Sequence, residues 1–262
     1  RKFKNLLSWL YVPVQEIDKL RLETLKLGND AKAVTKTVVI PKFATVEPPP
    51  ESRYFSELGT WYRLMAEQLI PKDLTDIVNY VSERHVNLKK YDLMHSTCTE
   101  FGLNRRVIVP FYQDKQLVGW TARSVDSKNK LKYYSNQPQG YVFNLDKQDY
   151  DRKFVIVCEG PFDAIAIKRN AIPLLGKNIQ SNLMKKIVMS SVEKIYIALD
   201  RDAQKQALSF CEKLMNEGKE VYLVDINDKD PSDMGFEKFT GLIQTTLPLT
   251  FSNLLEKKLQ II

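Results

Sequence analysis

Residues 154–202 read FVIVCEGPFDAIAIKRNAIPLLGKNIQSNLMKKIVMSSVEKIYIALDRD. The opening run, 154–158, is short, apolar and β-branched, which predicts a buried strand. Glu159-Gly160-Pro161 is a turn signal that stops it. Phe162, Ile165 and Ala166 then recur at helical spacing. Residues 194–199 predict a second buried strand, ending at Asp200-Arg201-Asp202. Beyond it, Ala207, Leu208, Cys211, Leu214 and Met215 share one face of a second helix. Two strand-then-helix units in succession predict a parallel sheet with crossover helices. Ligands of such sheets bind beyond the carboxyl ends of the strands. Glu159 stands at one of those ends, and Asp200 and Asp202 at another. Three carboxylates on one edge repel each other unless a cation neutralises them. An all-oxygen set with neither His nor Cys suits a hard ion, Mg²⁺ first and Mn²⁺ second.

An E-G-x-x-D turn after one apolar strand and a D-x-D after a later one resembles the Toprim domain. That domain is shared by bacterial and phage primases, type IA and II topoisomerases, and some nucleases and recombination proteins. The residues that carry the resemblance are Glu159, Gly160 and Asp163, then Asp200 and Asp202. After a further strand, EVYLVDI at 220–226, Asp230-Pro231-Ser232-Asp233 is similar to the D-P-x-D element of DnaG-type primases. Each piece alone reads blandly, since Glu-Gly turns are common and a D-x-D is often a helix N-cap. All three in order, each behind an apolar strand, turn the balance toward the resemblance.

The chain of 262 residues can hold one large domain or two small ones. Its hydrophobic fraction of 44% and charged fraction of 27% are ordinary for a globular protein. No apolar run is long enough to span a bilayer and no secretory signal is visible, so a cytoplasmic site and no membrane partner are expected. Cys98, Cys158 and Cys211 are too far apart for a disulfide framework or a zinc site. The net charge of +7 permits an anionic partner without requiring one. Because the chain begins at Arg1, a fragment or a processed chain is expected.

Residues 1–25 predict two short helices broken at Pro13. They resemble the tail of the zinc-binding domain at the start of DnaG-type primases. The resemblance places any zinc in an upstream module and none in this chain. Residues 26–52 predict a linker, stiffened by Pro48-Pro49-Pro50. Residues 57–90 predict helices, one with Leu58, Trp61, Leu64 and Met65 on a face and another after Pro71. Its Tyr80 and Arg84 resemble the end of the helix leading into a primase core. His85 and His95 have no metal-binding neighbours in sequence and read as surface or boundary residues.

Residues 105–134 carry the second constellation. A hairpin is expected, VIVPFY then QLVGWTARS, turning at Gln113-Asp114-Lys115, with a third strand at 131–134. Arg105, Arg106, Arg123, Lys128, Lys130 and Lys132 punctuate it, interleaved with Trp120, Tyr133, Tyr134 and Tyr141. Basic groups among aromatics suit a surface that binds a single strand and stacks its bases. An arginine on a partly buried strand, as at Arg123, is costly unless something anionic pairs with it. The stretch resembles the N-terminal subdomain of the primase core, in Arg106 with Pro110, Gly119 with Arg123, and Lys132, Tyr133 and Asn136. Tyr134-Ser135-Asn136 departs from the family's order at that motif.

The fold class expected is α/β: a Toprim domain, a parallel sheet with crossover helices, preceded by a smaller α+β subdomain with a basic surface. The domains expected are an arm (1–25), a linker (26–52), the basic subdomain (53–150), the Toprim catalytic domain (151–246) and a C-terminal helix (247–262). The resemblance implies a DNA primase core of bacteriophage character, making short RNA primers on single-stranded DNA from NTPs. Glu159, Asp200 and Asp202 are then catalytic and metal-binding, Asp230 and Asp233 hold a second ion, and Asp163 is a supporting residue. Arg105, Arg106, Arg123, Lys132, Asn136 and Lys177 contact nucleic acid or nucleotide. The implied partners are the template, the primer–template hybrid and a replicative helicase, fused or separate. A Toprim nuclease and a non-catalytic nucleic-acid-binding module are the alternatives. A topoisomerase is not expected, because it would need a separate, larger domain with a tyrosine nucleophile.

Overall fold

The structure is a computed structural model and describes residues 41–57, 70–84, 86, 91–143, 153–168, 170–176, 179, 181–226 and 230–261. The arm at 1–25, the first part of the linker, the Trp61 face, His85 and Lys177 lie outside the described residues.

Two sheets form among these residues. The first is antiparallel, in the order β1 (Ser52–Tyr54), β2 (Met94–Ser96), β3 (Arg106–Gln113), β4 (Gln116–Ser124), β5 (Tyr133–Asn136). The β3–β4 hairpin turns at Asp114 and Lys115, which both have positive φ (50° and 66°), the pairing that matches the twist of a tight hairpin. The third strand begins two residues later than the sequence suggested, at Tyr133. The register shifts between Phe111 and Tyr112, a bulge that lets Gly119 sit opposite Phe111. A Cβ on Gly119 would stand 2.6 Å from the Asn136 carbonyl oxygen and 2.7 Å from Pro138 Cδ, so close backbone approach requires the glycine there. Residues 41–51, read as linker, run along this sheet: Val46 N–H donates to the Leu117 carbonyl, and Gln113 Nε2 donates to the Pro41 carbonyl. His95 is also buried rather than peripheral, 4% exposed against Phe55, and burial lowers its pKa to about 4.

The second sheet is wholly parallel, in the order β7 (Ala171–Pro173), β6 (Phe154–Cys158), β8 (Lys194–Ala198), β9 (Glu220–Leu223). Alternation sends Val155 and Val157 to one face and Ile156 and Cys158 to the other. The first face packs on Leu183 and Ile187 of α3 (Ser181–Met189), on Ala207, Leu208, Cys211 and Leu214 of α4 (Gln204–Asn216), and on Leu254 of α7 (Phe251–Leu259). The second packs on Ala164 and Ile167 of α2 (Pro161–Ile167) and Phe239 of α6 (Phe236–Thr245). With helices on both faces, near-continuous apolar strands are what burial demands. Each such buried side chain stabilises by roughly 1.5–3 kcal/mol.

All seven residues of α2 are buried. Its Phe162 and Ile165 pack with Val107, Val109 and Phe111 of the antiparallel sheet and with Ile77 and Val81 of α1 (Lys72–Glu83). The helix is therefore the shared core of the two halves. The chain leaves β6 toward β7 on one side, then returns past it to β8 and β9. The order reverses between β6 and β8, which opens a crevice at their carboxyl ends.

Candidate metal centre and its basic surroundings

Glu159 follows β6 and Asp200 follows β8, so the reversal point puts them side by side. Glu159, Asp200 and Asp202 each offer an oxygen, all within 4.8 Å of one another. Asp202 is exposed, while Glu159 and Asp200 are half-buried. Burial first, and then Glu159 beside it, push the Asp200 carboxyl up to about 7. Glu159 is raised too, by burial and then by Asp202. Glu159 Oε2 is buried with no hydrogen-bond partner. An orphaned carboxylate oxygen within an all-oxygen set fits a hard divalent cation.

Asp163 is the hinge of the site. One oxygen accepts the Gly160 N–H at 3.0 Å, fixing the Glu-Gly turn, and the other accepts the Ser232 N–H at 3.2 Å. Ser232 lies in α5 (Pro231–Met234), so Asp163 ties the first motif to the third. Burial, with Asp230 next, raises the Asp163 carboxyl to about 6. Asp163→Ala strips acceptors from both N–H groups and is expected to cost roughly 2–4 kcal/mol. Denaturant unfolding checks this, and an unchanged midpoint would show that the tie carries no weight.

Asp230 and Asp233 do not join the cluster of three. Arg84 Nη1 lies 3.7 Å from Asp230 Oδ2 and 3.6 Å from Asp233 Oδ1, and donates to Ser232 Oγ at 2.7 Å. The guanidinium also lies over the Tyr80 ring, 4.9 Å from its centre. The sequence offers Tyr80 and Arg84 as the end of a helix and does not show what they meet. Their signal was the four-residue spacing at a helix end, which puts both on one face.

The basic residues divide. Arg123 faces the site: its Nε donates to Tyr80 Oη at 3.1 Å, and its guanidinium lies 4.7 Å from the Tyr133 ring centre. A Cβ on Gly160 would stand 3.5 Å from Tyr133 Oη, so this edge adjoins the Glu-Gly turn. Lys132 is exposed. Asn136 is exposed on the opposite face of β5 from Tyr133.

Arg106 departs from its expected role. It is 1% exposed, and its guanidinium donates to the carbonyls of Phe101, Ala122, Leu131 and Lys132. A side chain so enclosed cannot reach a phosphate. Arg105 is likewise held, by Asp73 at 3.1 Å, Asp76 at 2.5 Å and a two-pronged pair with Asp126. Trp120 and Tyr141, expected to stack bases, are core residues at 6% and 3% exposure.

Residues 156–234 match the Toprim-like family. An uncharacterized protein of Mycoplasma pneumoniae is 26% identical over 58% of this chain and 77% of its own length. A DNA primase of Mycoplasma genitalium is 24% identical over 72% of this chain, a match spanning 33% of that protein. Among solved structures, a DnaG primase catalytic domain bound to ssDNA aligns with a TM-score of 0.56, 16% identity, and coverage of 79% of this chain and 84% of that one. The Aquifex aeolicus primase, with its zinc-binding and RNA polymerase domains, aligns at 0.55 with 22% identity, over 72% of this chain and 61% of that one. The chain therefore carries a Toprim fold within a larger architecture shared with primase catalytic domains.

Proposed function

We propose that this chain is the catalytic core of a DNA primase, a nucleotidyltransferase that makes short RNA primers on single-stranded DNA from NTPs. The observation that carries this reading is the placement of Glu159, Asp200 and Asp202 at one strand crossing, with the antiparallel subdomain turning Arg123 and Tyr133 toward the same edge. That subdomain also favours synthesis over hydrolysis by a Toprim nuclease, since it supplies a surface for a second strand and a nucleotide. The Mycoplasma genitalium primase and the ssDNA-bound primase domain support the same reading.

In this mechanism the 3′-oxygen of one nucleotide attacks the α-phosphorus of the next, and pyrophosphate leaves. Glu159, Asp200 and Asp202 would hold a divalent ion, Mg²⁺ or Mn²⁺, which would supply charge neutralisation at the triphosphate. Asp163 keeps the Glu-Gly turn in place, so that Glu159 either holds the ion or accepts the proton of the attacking hydroxyl. Arg84 sets the position of Asp230 and Asp233, which would hold a second ion. Arg123 contacts template phosphate or the incoming triphosphate, and exposed Lys132 contacts template phosphate. A bacteriophage setting, a cytoplasmic location and a helicase partner in a replisome complete the proposal.

The test mixes the protein with single-stranded DNA of varied sequence, labelled NTPs and Mg²⁺. Short RNA products are expected. Template cleavage without RNA would transfer the site to the nuclease reading, and binding alone would reduce it to a non-catalytic module.

A further inference from the structure

The far face of the antiparallel sheet carries an aromatic feature that the proposed chemistry leaves unused. Phe101 is 64% exposed, and its φ is +52°. Bulky side chains avoid that region, so a phenylalanine held there in the open calls for a reason. Its ring is stacked on Tyr134, with centroids 4.8 Å apart and planes 20° apart. Tyr134 in turn stands edge-on to buried Trp120 at 5.4 Å. Phe101 is thus the open plate of a three-ring pile whose innermost ring belongs to the core.

The plate is anchored from below. Arg106 Nε donates to the Phe101 carbonyl, and the same guanidinium holds the carbonyls of Leu131 and Lys132. This brings the segment with exposed Lys128, Lys130 and Lys132 close to the Phe101 backbone. Of the acids closest in sequence, Asp126 is engaged by Arg105, and Glu100 is exposed. Flat aromatic surface flanked by cations is the combination that holds single-stranded nucleic acid, the ring taking a base and the ammonium groups its phosphates.

We propose that Phe101, seated on Tyr134 and flanked by Lys130 and Lys132, is a stacking platform for one base of a single strand. It lies on the sheet face opposite the one that carries Arg123 and Tyr133. The inference rests on the primase reading only for which strand passes, the template outside the reactive end.

The full chain, without divalent metal, is titrated against labelled oligo(dT) and against a length-matched abasic oligonucleotide. Phe101→Ala is expected to weaken oligo(dT) binding roughly 5- to 100-fold and to leave abasic binding unchanged. Phe101→Gly should give the same loss without lowering the unfolding midpoint, because glycine accepts this backbone. Phe101→Trp should retain affinity, and its added emission should be quenched by oligo(dT) but not by the abasic strand. Equal losses on both oligonucleotides would overturn the platform in favour of a folding effect. No loss on either would overturn it too and leave the plate to a protein partner. RNA synthesis is measured separately. A chain that stacks oligo(dT) through Phe101 but makes no RNA keeps the platform and loses the primase reading, and the converse loses only the platform.

Discussion

Asp200→Asn is expected to lower RNA synthesis by roughly 10³-fold or more, the loss of several kcal/mol of charge stabilisation at the reacting phosphate. Single-strand binding should be unchanged or stronger, because a negative charge near phosphates is removed. A second readout needs no activity. Asp200 moves from 3.8 to about 7 on folding, so the folded state binds this proton more tightly. Its contribution to stability is complete below about 3.8 and is lost as pH rises through about 7. The metal-free protein should therefore lose stability between pH 5 and pH 8 more steeply than the variant does. Mg²⁺ or Mn²⁺ should raise the melting temperature of the parent at pH 8, because binding to the folded state stabilises it, and should barely move the variant. Full synthesis by Asp200→Asn, or an equal metal response in both proteins, would remove the carboxylate cluster from the chemistry.

The carboxylates were legible in the sequence for a topological reason. An apolar β-branched run followed by a turn fixes where a strand stops, and in a parallel sheet that is where ligands go. Reading the ends of 154–158 and 194–199 was enough to bring Glu159 and Asp200 together. The sequence could not give the strand order, in which β6 stands between β7 and β8, and so could not say that the crevice opens beside Glu159. Nor could it say that α2 is buried on every side. Its apolar spacing showed one face, and the antiparallel sheet that covers Phe162 and Ile165 comes from residues some fifty positions earlier.

Charge was the least legible part. A sequence shows that an arginine is present but not what its guanidinium meets. Arg84 reads in the sequence as the end of a helix and lies against Asp230 and Asp233. Arg105 looked available and is enclosed by three aspartates, two of them in α1. Arg123 was singled out because a half-buried strand arginine needs a partner. Its partners are Tyr80 and Tyr133, which the anionic argument did not anticipate. Phe101 is silent in the sequence, because neither its positive φ nor its stacking on Tyr134 leaves a mark there.

Arg106 turns this difference into an experiment. Arg106→Met is expected to cost roughly 2–4 kcal/mol, because carbonyl oxygens that the guanidinium satisfied lose their donor inside the fold. Arg106→Lys should recover part of this and not all, since an ammonium cannot reproduce a planar fork reaching four carbonyls. A phosphate contact and a buried strut both predict weaker DNA binding, so loss of binding alone decides nothing. The salt dependence separates them. Losing one phosphate contact should flatten the slope of affinity against salt by about one unit or less. Losing a strut should leave the slope unchanged wherever the variant remains folded, and lower the denaturation midpoint. Because Arg106 also clamps the Phe101 carbonyl, its loss should free the aromatic plate, so the folded variant should bind oligo(dT) less well while keeping its abasic affinity. A flattened slope with an unchanged midpoint would return Arg106 to the groove and show that its four carbonyl contacts do not form.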